Sequence, residues 1–300
     1  MEMRQIEYFL AIADHGGISA AARALDTAQP TLSQAVRALE RELGAPLFHR
    51  MGRGLTLTAA GRALIGPSRR LMRNLLNWPE VLVTNTDDLG GRLDIAVFPA
   101  LADSVVDLIA EFSTRHPRVE VHVADLHDDH PRATDVLRNG TVDAVVMHLP
   151  VVDDALAVLP LGKQDFVAIY PPKTDLPPGP VDLSRLPDLP MVFVPETHSL
   201  SREVGKAMRC RGGRPRVATL TEHREALVPL VAAGVGGAIV DRSMAEAATG
   251  LITIRPLEPP VTRQFGLVYD EARLTPTAET FLALAPEHAT GNGYFPPALS

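Results

Sequence analysis

Residues 18–58, ISAAARALDTAQPTLSQAVRALERELGAPLFHRMGRGLTLT, constrain the fold more than any other stretch of the 300-residue chain. Ile18, Ala21, Ala22 and Leu25 recur at i, i+3, i+4 and i+7, the period of a helix with one buried face. Ser19 fits its N-cap, and Asp26-Thr27 breaks the pattern. A second helix is expected over 29–43, with Leu32, Val36, Leu39 and Leu43 inward and Pro30, Ser33, Gln34, Arg37 and Arg41 on the other face. Pro30 is tolerated because it lies in the first turn. Leu47–Arg50 and Leu55–Leu57 then read as strands of a hairpin whose Met51-Gly52-Arg53-Gly54 turn supplies glycines for positive φ. A short helix with small polar residues near its start and arginines further along suits the DNA major groove, where Ser and Gln reach base edges and Arg meets phosphates. The same pattern also occurs in helix pairs that only build a core.

The longer string is more specific. AARALDTAQPTLSQAVRALERELGAPLFHRMGRGLTLTAAG follows an aromatic-bearing helix, IEYFLAIAD, expected over 4–14. Together they resemble the N-terminal domain of LysR-type transcriptional regulators, through Gln29, Pro30, Ser33, Leu39, Glu40, Leu43, Gly44, Leu47, Phe48, Arg50, Leu57, Thr58, Ala60 and Gly61. The resemblance implies a winged helix-turn-helix in residues 1–60. Gln29, Pro30, Ser33 and Gln34 become the candidate base-reading residues. Thr31, Arg37, Arg50 and Arg53 become candidate phosphate or minor-groove contacts, and Ser19 and Thr27 flank the same face.

Composition agrees with this division. The net charge is −7, which argues against a generic nucleic-acid coat. Residues 1–60 balance arginines 4, 23, 37, 41, 50 and 53 against acids 2, 7, 14, 26, 40 and 42, whereas Arg62, Arg69, Arg70 and Arg73 face only Glu80 over 61–80. The acidity therefore lies beyond the N-terminal segment, and a modest cationic surface on one module fits sequence-selective binding. A single cysteine, Cys210, excludes an intramolecular disulfide framework and a four-cysteine zinc site. No signal-peptide core and no membrane-length apolar run are visible, so a cytoplasmic location is expected.

Residues 61–89 read as a linker and dimerisation helix capped by Thr58 and reaching about Val83. Leu64, Leu71 and Trp78 fall seven apart, a stripe that buries well against a second copy. In the family this linker pairs antiparallel in a dimer, and dimers or tetramers are expected. Gly66-Pro67 is expected to kink the helix and Pro79 to end or kink it again.

From Gly90 the pattern alternates. Strands are expected at 92–98, 119–124 and 142–147 and helices at 101–115 and 132–139, a βαβαβ order that implies a parallel sheet. A second set follows: strands at 166–170, 191–194, 217–220 and 236–240, with helices at 201–210 and 223–233. The fold class expected is α/β, and the resemblance implies an effector domain over 90–300 of two Rossmann-like lobes of the periplasmic-binding-protein type. Lobe 1 would take about 90–162 and 265–300, and lobe 2 about 163–264.

Ligands of parallel α/β sheets sit at the carboxyl ends of strands. That places candidate effector contacts at Phe98, Pro99, Ala100 and Leu101, at His127 and at His148 in lobe 1. In lobe 2 they fall at Thr197, His198 and Ser199, at Thr221 and Glu222, and at Asp241. The family's first loop usually offers a hydroxyl to an effector carboxylate. Pro99-Ala100 replaces it here, with Ser104 a turn later, so a larger, less polar or differently oriented ligand facing Phe98 and Leu101 is expected. A small carboxylate or aromatic acid remains within the family's range. The run Asp125-Leu126-His127-Asp128-Asp129-His130 carries ligand-type side chains, which a metal site, an effector-contacting loop or a solvated loop would equally explain. No metal and no cofactor are expected. No catalytic signature appears, and Gly234-Val235-Gly236-Gly237 precedes a strand instead of joining strand to helix. The reading is a DNA-binding, effector-responsive regulator. The alternative is a small-molecule-binding protein or enzyme whose N-terminal helices only oligomerise.

Overall fold

A computed structural model describes residues 1–51, 54–76, 89–126, 130–176, 178–183, 189–195 and 216–289. At its N-terminus α1 (Met3–His15), α2 (Ile18–Ala24) and α3 (Gln29–Leu43) are followed by β1 (Phe48–Met51), β2 (Gly54–Leu57) and α4 (Ala59–Leu76). The span expected for α3 is the span observed. Pro30 favours its first turn, and Gly44, at φ 68°, closes it in the left-handed region that glycine adopts without strain. Leu32, Val36 and Leu39 pack with Phe9 and Ile12 of α1 and Ala21 of α2 in one apolar cluster. Phe9 has no exposed surface and sits 5.5 Å from the Phe48 ring, so the wing is fastened to α1 by burial worth roughly 1.5–3 kcal/mol per large side chain. Ser19 is not an N-cap: α2 begins one residue earlier, after Gly17, which has no side chain to offer.

Thr58 does cap α4. Its Oγ1 accepts from Gly61 N at 2.9 Å and donates to the Pro46 carbonyl at 2.7 Å. The helix runs through Pro67 without interruption as far as Leu76. Pro67 has no N–H for the Ala63 carbonyl, but Ala63 is exposed and water can serve it. Trp78 and Pro79 lie outside the described residues.

The half that follows α4 is built on one mixed sheet in the order β10-β6-β11-β5-β3-β4. Its strands are β3 (Gly90–Val97), β4 (Arg118–Asp125), β5 (Ala144–His148), β6 (Ala157–Tyr170), β10 (Ala238–Asp241) and β11 (Thr253–Tyr269). The first three pair in parallel, as the βαβαβ order requires. The sheet as a whole is not parallel, however, because β6 and β11 run antiparallel to each other along most of their length. Each enters both lobes, so these two strands are the crossovers. The register shifts between Pro256 and Val261, and there β11 leaves β6 to pair with the short strand β7 (Val181–Asp182). Prolines 256, 259 and 260 cannot donate to a ladder, and a detour of this kind accommodates them.

Strand periodicity divides the core. Leu93, Ile95 and Val97 face α5 (Val106–Arg115) and α9 (Pro276–Leu284), whereas Ala96, Val145 and Met147 face α6 (His130–Arg138). In lobe 2, Val167 and Ile169 pack with α7 (Leu227–Ala232) and α8 (Arg242–Ala247), and Phe166, Ala168 and Tyr170 face the other way. Helices thus cover both faces in lobe 1, whereas among the described residues of lobe 2 the second face packs on Val181, Leu183, Met191 and Leu257. The long helix expected over 101–115 is two 3-10 turns and α5, an arrangement in which Leu101 and Val105 are both buried. Likewise 223–233 begins as a 3-10 turn at Arg224–Ala226 before α7. The short strands β8 (Met191–Phe193) and β9 (Val217–Leu220) pair in parallel beside β10. Gly236 explains the glycine run: a Cβ there would stand 2.0 Å from the Pro190 carbonyl, so the chain passes only without one. The expected helix 201–210 and Cys210 lie outside the described residues.

Candidate functional site

The N-terminal unit presents a polar face on α3. Gln29, Pro30, Thr31, Gln34, Arg37 and Arg41 are exposed and Ser33 is half-buried, while Leu32, Val36 and Leu39 point the other way; Leu43, expected inward with them, is exposed in the last turn of the helix. No side chain caps the α3 N-terminus, after Ala28, although Pro30 has no N–H and Thr31 N already donates to the Ala28 carbonyl at 3.0 Å, so the backbone there offers little to an anion and the polar side chains carry the face. Ser19, in the first turn of α2, donates to Gln29 Oε1 at 3.2 Å and ties the two helices at that exposed end. Thr27 is half-buried in the turn between them.

An open groove of about 770 Å³ runs along the second half of α3, lined by Gln34, Arg37, Glu40, Arg41 and the Gly44–Pro46 turn. Glu40 was quoted above only as part of the resemblance, and its role emerges here. Its Oε1 accepts from Leu47 N at 2.8 Å and Phe48 N at 3.3 Å, which pins the start of the wing to α3. The wing is an antiparallel pair with Phe48 opposite Leu57 and Met51 opposite Gly54. The Arg50 side chain and Arg53 lie outside the described residues.

The proposed effector contacts divide differently. Phe98, Pro99, Ala100 and Leu101 form a 3-10 turn at the carboxyl end of β3. Leu101 is fully buried in the lobe 1 core and cannot face a ligand, a correction that follows from its packing with Val105, Leu108 and Phe112. Phe98 is half-buried against both lobe 1 clusters. The expectation of a less polar ligand lining these two side chains therefore loses its footing. Pro99 is exposed and Ala100 half-buried.

A residue without any sequence signal joins them. Gln164, buried in the middle of β6, donates from Nε2 to the Ala100 carbonyl at 2.5 Å. Its Oε1 accepts from His148 Nε2 at 2.8 Å, which places the proton of that buried imidazole on Nε2. One amide thus connects the first loop, a crossover strand and the end of β5. Gln164 was invisible in the sequence because a polar residue inside a long strand is recognised only by what it meets.

In lobe 2, Thr221 is half-buried and its Oγ1 accepts from His223 N at 3.1 Å, forming a local turn, while Glu222 is exposed. Asp241 is corrected from ligand contact to structural cap. It is 2% exposed, pairs with Arg224, and accepts from Ser243 Oγ at 2.5 Å and from Met244 N at 2.9 Å at the start of α8. Burial alone would raise its carboxyl, but Arg224 and the two hydrogen bonds outweigh that and hold it below the usual carboxylate range. His127, Thr197, His198 and Ser199 lie outside the described residues, as do Asp128 and Asp129 of the Asp125–His130 run. Among the described residues no group of three or more His, Cys, Asp and Glu converges, and no helix is long and apolar enough to cross a membrane.

Comparison with known proteins gives the same two parts. Residues 3–62 match the family described as bacterial regulatory helix-turn-helix protein, lysR family, and residues 86–290 match the LysR substrate binding domain. The HTH-type transcriptional regulator IlvR of Caulobacter vibrioides is 29% identical, over 96% of this chain and 98% of its own. The regulator TfdS of Cupriavidus pinatubonensis is 32% identical over 82% of this chain and 84% of its own. Among solved structures, a full-length OxyR variant from Pseudomonas aeruginosa shares the fold with a TM-score of 0.73 at 22% identity, covering 97% of this chain and 96% of that one. CbnR, a LysR family transcriptional regulator, does so with a TM-score of 0.69 at 23% identity, covering 97% and 100%. A winged helix-turn-helix followed by a two-lobed α/β domain, matched along nearly its whole length, makes this chain a member of the LysR family of DNA-binding transcriptional regulators.

Proposed function

We propose that α3 enters the DNA major groove, with Gln29, Pro30, Ser33 and Gln34 reading base edges and Thr31, Arg37, Arg50 and Arg53 meeting phosphates or the flanking minor groove. Ser19 and Thr27 border the same surface. The observation that carries this reading is the exposed polar face of α3 beside an uncapped N-terminus and an open groove. CbnR, similar in fold, has been solved in complex with its target DNA, which supports DNA as the partner. Two copies would place their α3 helices in successive major grooves of a dyad-symmetric site. Leu71, 43% exposed on α4, supplies part of the apolar stripe for pairing as a dimer, with tetramers built from dimers.

The effector half acts as a sensor and not as an enzyme, and the protein works in the cytoplasm. A small carboxylate or aromatic acid would bind between the lobes near Ala100, His148 and Thr221. Its differential affinity for two degrees of lobe closure would shift the population of two assembled states.

Fluorescence anisotropy against the DNA upstream of its own gene tests the interface. Gln34→Ala with Arg50→Ala is expected to weaken binding by tenfold or more, since a good base contact contributes about 1–3 kcal/mol. Loss of the arginine should also flatten the dependence of affinity on salt. An unchanged affinity would remove α3 and the wing as the reading elements. Thermal-shift screening with small carboxylates and aromatic acids tests the cleft, because binding to the native state raises its apparent stability.

A further inference from the structure

Arg69 on α4 touches both neighbours of its helix. One guanidinium nitrogen, Nη1, donates to Thr141 Oγ1 of lobe 1 at 2.6 Å, and the other, Nη2, pairs with Asp14 near the end of α1. The next residue, Arg70, donates to the Arg138 carbonyl at 3.3 Å. Gly66 brings the helix backbone close: a Cβ there would meet the Arg138 carbonyl at 3.2 Å and Asn139 Cα at 3.3 Å. The linker helix therefore lies on the turn that closes α6, clear of the DNA-facing surface of α3. Two of the four arginines that made residues 61–80 look cationic are engaged in joining domains.

The turn it grips is rigid. Asn139 N and Thr141 N return to the Asp135 and Val136 carbonyls at 2.8 Å each, and Gly140 takes φ 59°. The Arg138 carbonyl also accepts from Arg273 at 3.0 Å, and the Arg138 side chain is paired with Asp153 at 2.6 Å. Upstream, α6 is anchored by the buried Ala133 and Leu137. It begins at His130, just past the carboxyl end of β4. Its nine residues span about 13 Å at 1.5 Å each, from the cleft side of lobe 1 to Arg69.

We propose that Arg69 is a positioning residue for DNA recognition: it fixes the direction in which the helix-turn-helix leaves the effector domain, and α6 is the strut through which the cleft acts on it. The planar fork of arginine serves two acceptors at a set angle, which a lysine ammonium does not reproduce. The strut's link to the cleft rests on the effector reading above. The Arg69 contact does not, and is tested without any ligand.

The test measures full-length protein on DNA duplexes that carry two half-sites at varied spacing, together with a duplex carrying a single half-site. Wild type is expected to prefer a narrow range of spacings. Arg69→Ala should lower the ratio of best to half-turn-shifted affinity by about fivefold or more, the lower end of ordinary coupling between sites, with single half-site affinity unchanged. Arg69→Lys should restore that ratio only in part. Asp14→Ala and Thr141→Val each remove one bond and should shift the ratio in the same direction, which keeps the test decisive if Arg69→Ala folds poorly. An unaltered spacing preference in all of these variants overturns the proposal. So does an equal loss at every spacing, which would mark Arg69 as a plain phosphate contact or a purely structural residue. Failure of every carboxylate to shift the melting temperature would overturn the effector reading and leave the spacing result standing.

Discussion

Gly61→Ala is expected to unfold the wing from the helices, lowering the stability of the N-terminal unit by about 3 kcal/mol, the upper end of the usual cost of overpacking. A Cβ at this position would stand 2.2 Å from the Leu47 carbonyl and 2.9 Å from Leu57 Cδ2. Helix propensity alone would favour alanine by about 1 kcal/mol, so the two effects oppose each other and the clash dominates. It cannot be relieved cheaply, because the nearer atom is backbone and that carbonyl also accepts from Thr58 N at 2.9 Å. Moving it would strain the Leu47 and Phe48 amides that Glu40 holds. Urea titration followed by circular dichroism should show an earlier transition, and anisotropy should show DNA affinity falling with it. If the variant melts as the wild type does, the close passage of α4 over the wing is wrong.

Asp241→Ala should destabilise lobe 2 by a similar amount. Removing one member of a buried ion pair costs about 3–5 kcal/mol, and Arg224, with 16% of its side chain exposed, recovers some hydration and keeps the effect near the lower figure. The loss of the α8 cap adds to it. The carboxyl is held below its ordinary value, so its contribution is complete above about pH 4, the unfolded value. It disappears as pH falls through the depressed folded value. Urea midpoints measured from neutral pH downward should therefore decline in acid for wild type and decline less steeply for Asp241→Asn. Parallel slopes would mean that the pair with Arg224 does not form in solution.

Much of this architecture was legible residue by residue. Pro30 and Gly44 delimit α3 chemically, and β9 is bounded by its own short run of Val217–Leu220. The two crossovers between the lobes followed only from the family resemblance, and the full length of their strands was not legible locally, because β6 and β11 carry Pro160, Pro256, Pro259 and Pro260, which interrupt the alternation that marks a strand. Their antiparallel pairing is also a long-range fact that no local window contains. The site failed in the same manner. Position at a strand end suggested Asp241 and Leu101 as ligand contacts, yet one caps a helix and the other fills a core. What decides each is a partner distant in sequence, Arg224 for the first and Phe112 for the second. Gln164 and Arg69 act only through partners at least 16 residues away, and composition gives no hint of either.

The shared strands also set an order of assembly. The N-terminal cluster closes with Met72 at its edge, so the DNA-binding helices have every partner they need early in synthesis. Lobe 1 does not: its core includes Phe265, Leu267 and Phe281. The edge of β5 stays open until β11 arrives after lobe 2 has been made. At roughly 5–20 residues per second that interval is on the order of ten seconds. Throughout it, Val145, Val146 and Met147 lie on an uncovered strand, the kind of edge that recruits chaperones or aggregates. A chain interrupted in this window carries a finished reading head on an unfinished sheet, which favours its clearance over competition for operator DNA.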